Sequence, residues 1–426
     1  MSGAAGYQQE PEVESRSTQT ADERLISLDF IRGFAVLGIL AANIVGYAMA
    51  STAQGWPAVF GPLDFGSTAA WLANFILIDG KMRSLFAILF GAGLALFIDR
   101  IDDRGGIGVA VQARRLLWLA LFGIAHFVLL YRGDILFTYA FWGVFAMLLT
   151  RVKPGLLFAF GLALYLAIVP LKETRYSGAL NGPLLEAQAK AGANGLPSAK
   201  LDPESWRNDG LRDQLVMNEG SFAEIAEYRV ERHGFGAFST TLDSLYDSFP
   251  MMLIGIALFR WGLFSRGVGS GKLKLAGWGL LAIGVAVGAW FAWVPIERGL
   301  SLAVTQYYGN ALMPLQRLPM SFAWLFLLVA YLPSVLSGVM GQWIAAAGRM
   351  AFSNYICSSL LMALIFQGWG FGWFGRFDRL ELFGFVILGW MLMLAWSKPW
   401  LARFRYGPLE WLWRCLTYWK LFPIRR

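Results

Sequence analysis

Residues Leu119–Phe145 read LALFGIAHFVLLYRGDILFTYAFWGVF. Two apolar runs flank the short polar turn Tyr131-Arg132-Gly133-Asp134, a pattern that predicts two membrane helices folded into a hairpin. His126 lies inside the first run and Asp134 opens the second. An ionisable side chain at membrane depth costs roughly 2.5 kcal/mol or more, so it calls for a partner or a task.

The rest of the chain agrees with a membrane reading. Of 426 residues, 57% are hydrophobic and only 15% charged, against about 45–50% and about 25% in soluble domains. The runs are too long for the alternating strands of a membrane barrel, so the expected architecture is an all-α, polytopic bundle of about ten helices. Expected spans cover roughly 28–48, 84–98, 114–131, 134–150, 154–170, 242–260, 275–296, 318–336, 350–368 and 380–397. Residues 67–79 are marginal, lying in the interface or breaking in mid-membrane. Five sections result: a disordered cytoplasmic tail over 1–22, transmembrane helices over 23–171, a polar extracytoplasmic insert over 172–240 with an amphipathic helix at 211–232, transmembrane helices over 241–397, and a cytoplasmic amphipathic tail over 398–426.

The net charge of +8 is spread along loops rather than gathered on a soluble module, which argues against nucleic-acid binding. With both termini cytoplasmic, one side collects Arg100, Arg104, Arg114, Arg115, Arg151, Lys153, Arg260, Arg266, Lys272, Lys274, Arg349, Lys398, Arg403 and Arg405. The short loops of the other side hold few basic residues, as the positive-inside rule requires. Cys357 and Cys415 fall at different expected depths, which disfavours a disulfide, and no metal-ligand spacing is present.

Several polar groups interrupt the apolar segments. On the first span, Arg32 and Asn43 fall within about 20° of each other at about 100° per residue, and Asp29 can pair with Arg32. These define a stripe facing the bundle. A similar edge is expected from Arg349, Ser353 and Asn354. His126 can act as a general base or as a histidine bonded across helices. Asp134 can cap its helix and also orient His126. Asp243 and Asp247 read as an acidic helix start, and His233 as solvated. Gly267-Val268-Gly269-Ser270-Gly271-Lys272 mimics a phosphate loop, but Leu273 stands where Ser or Thr is needed; it reads as a basic turn.

LDFIRGFAVLGILAANI, GIAHFVLLYRGDILFTYAFWG, GRMAFSNYICSSLL, FDRLELFGFV and GPLEWLWRCLTY together resemble the YeiB family, a domain-of-unknown-function group of bacterial inner-membrane proteins. That family is more distantly similar to the transmembrane acyltransferase superfamily, which carries an Asp-x-x-Arg-Gly element on its first helix, here Asp29 to Gly33. The resemblance implies transfer of an acyl group from cytoplasmic acyl-CoA, as substrate rather than covalent cofactor, to a small-molecule or lipid-linked acceptor at or beyond the membrane. The superfamily's histidine follows the first helix; here no histidine falls between residues 34 and 125, which leaves the role to His126. Under this reading His126 and Asp134 are catalytic, Arg32 and Arg349 bind the anionic donor, and Asp29, Asn43, Ser353 and Asn354 line the cavity. The alternative is a transporter or lipid-binding protein in which the same groups line a pathway. The lipid bilayer is the expected partner, and a homo-oligomer is compatible with either reading.

Overall fold

The computed structural model describes residues 10–176 and 201–426, with side chains from Ile26 onward. The chain is an all-α polytopic membrane protein, without strands among the described residues. The first helix, α1 (Glu10–Ala48), begins well before its apolar part. Its first residues, from Glu10, fall within the expected tail.

Next come α2 (Phe65–Ala73), a π-helical segment Asn74–Ile78, α3 (Lys81–Asp102), α4 (Gly108–Leu129), α5 (Leu136–Leu148) and α6 (Pro154–Tyr176). Among the described residues, seven helices are long and apolar enough to cross a membrane, or nine if each of two bent pairs counts as one span. Residues 67–79, expected to be marginal, join 84–98 in one discontinuous element, Phe65–Asp102. The expected span 134–150 corresponds to α5, whose 13 residues rise only about 20 Å, so it is the short member of the bundle.

The break in that element is built into its surroundings. The π segment leaves backbone carbonyls without helical partners, and side chains take them up: buried Lys81 donates to Phe75 O, buried Gln316 to Ile76 O at 2.9 Å and half-buried Trp324 to Leu77 O at 3.0 Å. Irregular backbone inside a membrane protein persists only with such replacement.

The insert holds α7 (Pro203–Glu219) and α8 (Phe222–Asp243). The single amphipathic helix expected at 211–232 is interrupted at Gly220, because Ser221 and Glu224 form a reciprocal capping box that starts a new helix. Residues 177–200 of the insert lie outside the described residues. Through a bend of 42°, α8 leads to α9 (Ser248–Arg260), buried from Ser248 through Leu258. A helix apolar all round belongs in the centre of a bundle, and α9 packs there against α3 and α6.

The remainder comprises α10 (Gly271–Glu297), Leu302–Gln306, a second π segment Tyr307–Leu312, α11 (Met313–Ala330), α12 (Val339–Arg349), α13 (Ala351–Phe366), α14 (Leu382–Arg403) and α15 (Pro408–Tyr418). Of the expected basic turn, Gly267–Gly269 form the turn and Ser270 caps α10, whose first residues are Gly271 and Lys272. α12 and α13 meet at 86°, so Arg349 and Ser353 do not share a helical edge. Gly33 on α1 and Gly348 on α12 let the two backbones touch; a Cβ on either would strike the other helix's main chain. Small residues serve this purpose between membrane helices. The approach fixes α1, with Arg32, against Arg349.

Candidate functional site

The Tyr131–Asp134 turn folds the start of α5 back onto the end of α4. Asp134 Oδ2 accepts from Phe137 N at 2.7 Å, capping α5, while Oδ1 lies 2.8 Å from His126 Nδ1. Capping and orienting are thus done by the same carboxylate. The other imidazole nitrogen, Nε2, lies 2.9 Å from Ser359 Oγ on α13, and Tyr47 OH, near the end of α1, lies 2.6 Å from the same Oγ. The Asp134 carboxylate accepts from Nδ1, so Nε2 is free to accept; the single Ser359 proton is shared between Nε2 and the Tyr355 carbonyl oxygen at 3.0 Å, and Tyr47 donates to Ser359. The side chains of His126 and Asp134 are 0% and 4% exposed. His126 therefore faces the bundle and not lipid. A serine, a histidine and a carboxylate in this order form a proton-transfer chain recognised by geometry, independent of fold.

Two cavities flank this chain. The proximal one, toward the N-terminal half of α1, has about 160 Å³ and is lined by Arg32, Arg115, Arg349, Glu410 and Tyr355 among others. The distal one, of about 610 Å³, is lined by Asn43, Tyr131, Arg132, Asp134, Arg83 and His233 among others. Ile39 and Ile135 border both. His126 borders neither: the rings of Tyr355 at 4.8 Å and Tyr131 at 6.3 Å cover it, and these two tyrosines face the proximal and distal cavity respectively.

The polar stripe of α1 is present. Arg32 lines the proximal cavity and Asn43 the distal one, with Ile39 between. Asp29 stands behind the proximal cavity and pairs with Arg32 at 2.9 Å. Arg349 joins Arg32 at the proximal cavity, and sequence reasoning missed the third arginine there, Arg115, which stacks on Trp413 of α15 at 4.2 Å.

Ser353 and Asn354 correct the expectation, since they border neither cavity. Ser353 bonds Glu410 of α15, whose carboxylate also accepts from Phe352 N at 2.8 Å and Ser353 N at 3.0 Å. Burial pushes the Glu410 carboxyl up, against these bonds. Asn354 donates to Ala347 O and Ser397 Oγ and accepts from Trp396. Both are bound up in packing because the bend at Met350 turns this edge of α13 toward α14 and α15.

Two further readings change. Asp247 is no partner of Asp243; it pairs with Arg83 and with Arg317, the latter at 3.1 Å. His233 is not simply solvated but borders the distal cavity, 3.7 Å from Asp213. Ser359 and Tyr47 were invisible in the sequence as site residues. A hydroxyl one helical face away from Asn354 was the only available signal for Ser359.

Comparison with known proteins gives a family model described as "protein of unknown function (DUF418)" over residues 258–420. The chain is 31% identical to the uncharacterized protein YeiB of Escherichia coli (strain K12), over 93% of this chain and 96% of that protein. It is 27% identical to the uncharacterized protein YxaH of Bacillus subtilis (strain 168), over 95% and 97%, and 28% identical to an uncharacterized 39.9 kDa protein of Bacillus acidopullulyticus, over 95% and 96%. No solved structure matches the chain.

Proposed function

We propose, from the premise that this chain belongs to the YeiB family of membrane proteins of unknown function, that it is an acyltransferase of the bacterial inner membrane with both termini in the cytoplasm. The observation that carries this reading is the buried Tyr47–Ser359–His126–Asp134 chain held between two cavities, the proximal one ringed by Arg32, Arg115 and Arg349.

In this mechanism an acyl-CoA enters the proximal cavity, where the guanidiniums meet its phosphates. Displacement of the Tyr355 ring admits the thioester to Ser359. His126 Nε2 takes the Ser359 proton, Oγ bonds to the thioester carbonyl carbon, and the carbon–sulfur bond breaks; the CoA thiolate leaves with the proton from His126. An acceptor hydroxyl from the distal cavity then gives its proton to His126 Nε2 as its oxygen bonds to the acyl carbon; the carbon–Oγ bond breaks, and Ser359 Oγ takes that proton back from His126. Asp134 keeps Nδ1 protonated throughout and stabilises the imidazolium.

The test is CoA thiol release by the purified, reconstituted protein. Ser359→Ala should abolish an acyl adduct on the α13 peptide, detected by mass spectrometry. No acyl-CoA-dependent thiol release from wild type overturns the reading. A second reading, transport, is favoured by one observation: two cavities separated by Ile39 and Ile135, beside a discontinuous Phe65–Asp102 element. Accumulation of solute in proteoliposomes without thiol release would select it.

Orientation has its own test. In a Cys357→Ala background, a cysteine at exposed Ser205 should react with an impermeant thiol reagent in spheroplasts. Labelling only after lysis reverses the topology.

A further inference from the structure

Beside the distal cavity, and sharing Ala42, Gln54, Asp79 and Arg83 with it, lies a polar side chamber of about 340 Å³. Arg83 of α3, Arg317 of α11 and Arg379 of the α13–α14 loop enter it from three parts of the chain. The opposing carboxylates are few. Asp79 lines the chamber, and Asp247 behind it is shared by Arg83 and Arg317, which leaves one guanidinium charge uncompensated.

Three features mark the chamber as built to keep donors free. First, both π-helical segments found among the described residues border it, through Asn74 and Asn310; such segments recur at functional sites. Second, Gly80 has φ 73° and sits so close to the Arg317 guanidinium that any Cβ would collide with it. The glycine at the helix break is what lets Arg317 reach its place. Third, the Nε atoms of Arg83, Arg317 and Arg379 are buried without a hydrogen-bond partner. Arg379, 6% exposed, is anchored by one donation to Ala53 O. Guanidiniums arriving from three sides offer more donors than the two oxygens of a carboxylate can accept, and they match the several free oxygens of a phosphate.

We infer that this chamber binds a phosphate group borne by the hydroxyl compound that the distal cavity receives. That the compound is an acyl acceptor rests on the acyl-transfer reading; phosphate binding does not. Arg83, Arg317 and Arg379 hold the phosphate, and the rest of the molecule extends toward Asp134 through the shared wall at Gln54 and Asp79. The ligand is either a soluble glycerol-phosphate-like compound or a phospholipid headgroup with a free hydroxyl.

Thermal unfolding of the purified full-length protein with glycerol 1-phosphate, against glycerol alone, tests the soluble source. A saturable rise in Tm with the phosphate alone is expected. Arg379→Gln should weaken it about tenfold or more, while Arg151→Gln, at an exposed ion pair with Asp102, should leave it unchanged. If Arg379→Gln does not fold, Arg379→Lys keeps the charge but loses the fork and should also bind less tightly. For the lipid source, nanodiscs of phosphatidylcholine with or without phosphatidylglycerol are compared by native mass spectrometry. Retention of phosphatidylglycerol that is lost in the Arg379 variant assigns the headgroup. The inference is overturned if neither probe binds, or if the Arg379 variants bind as wild type does. Because binding is read without turnover, a protein that binds phosphate yet releases no CoA thiol would sink the acyltransferase and leave this site standing.

Discussion

Two polar clusters sit little more than one turn apart on α13, around Asn354 and around Ser359, and both residues are fully buried. The first is closed. Every amide atom of Asn354 meets a neutral partner on α12 or α14, and Ser397 in turn donates to Met393 O. Nothing in it can gain or lose a proton near neutral pH, and it borders neither cavity. The second links α1, α4, α13 and the hairpin turn through an imidazole and a carboxylate, and its flanking tyrosines reach both cavities. Equal burial therefore conceals different capacities. A saturated neutral cluster can only hold helices together, whereas one containing His and Asp can also move a proton.

The sharpest way to break this comparison is His126→Gln, which retains size and hydrogen bonding but not proton transfer. Acyl transfer should fall by about 10²–10⁴-fold, with Tm close to wild type. His126→Leu should fall as far in activity and lose stability as well. A His126→Gln protein that turns over normally would place both clusters in one class, as packing contacts.

Asn354→Ala probes the opposite cluster. It leaves the Trp396 indole N–H without its acceptor and removes the donations to Ala347 O and Ser397 Oγ, so stability should drop by about 1–3 kcal/mol. Turnover per folded molecule should stay unchanged. A drop in specific activity at constant Tm would show that the Asn354 cluster is coupled to the chemistry after all.

How much of this could be read from sequence follows from where each bond closes. The His126–Asp134 pair was accessible because a Gly-containing turn returns the chain on itself. Continuous helix would have set them about 12 Å apart, but the turn brings Nδ1 and Oδ1 to 2.8 Å. The helical class and the α1 stripe were accessible because hydropathy and the 3.6-residue period are local properties. Ser359 and Tyr47 were not, since their contacts close over 233 and 312 positions and depend on the 86° bend at Met350. The same bend defeated the Arg349–Ser353 edge, which assumed one unbroken helix. The arginines of the side chamber carry no common spacing, because three separate elements deliver them.

The smallest expected effect lies in the insert, where a third polar cluster shows which way charge acts outside the bundle. Asp213 of α7 accepts from Ser51 N at 2.8 Å and from Tyr228 OH at 2.6 Å, with the His233 ring nearby. It thus ties α7 and α8 to the segment that follows α1. Burial alone would push this carboxyl up, but the hydrogen bonds and the imidazole outweigh it and hold it well below the usual carboxylate range. An acid whose pKa is depressed in the folded state contributes stability above its unfolded value, about 3.9, and loses it as pH falls through the folded value. Stability from Asp213 should accordingly be flat between pH 7 and 5 and decline below about pH 4. Asp213→Asn keeps one acceptor oxygen but no charge, so at pH 7 it should cost about 1 kcal/mol. The gap between variant and wild type should then close as the pH drops below about 4. Tm against pH, or the rate of proteolytic nicking in α7 and α8, measures that gap. If it stays constant down to acid pH, hydrogen bonding without charge holds the insert, and Asp213 belongs with the neutral packing of Asn354 and not with the cluster around His126.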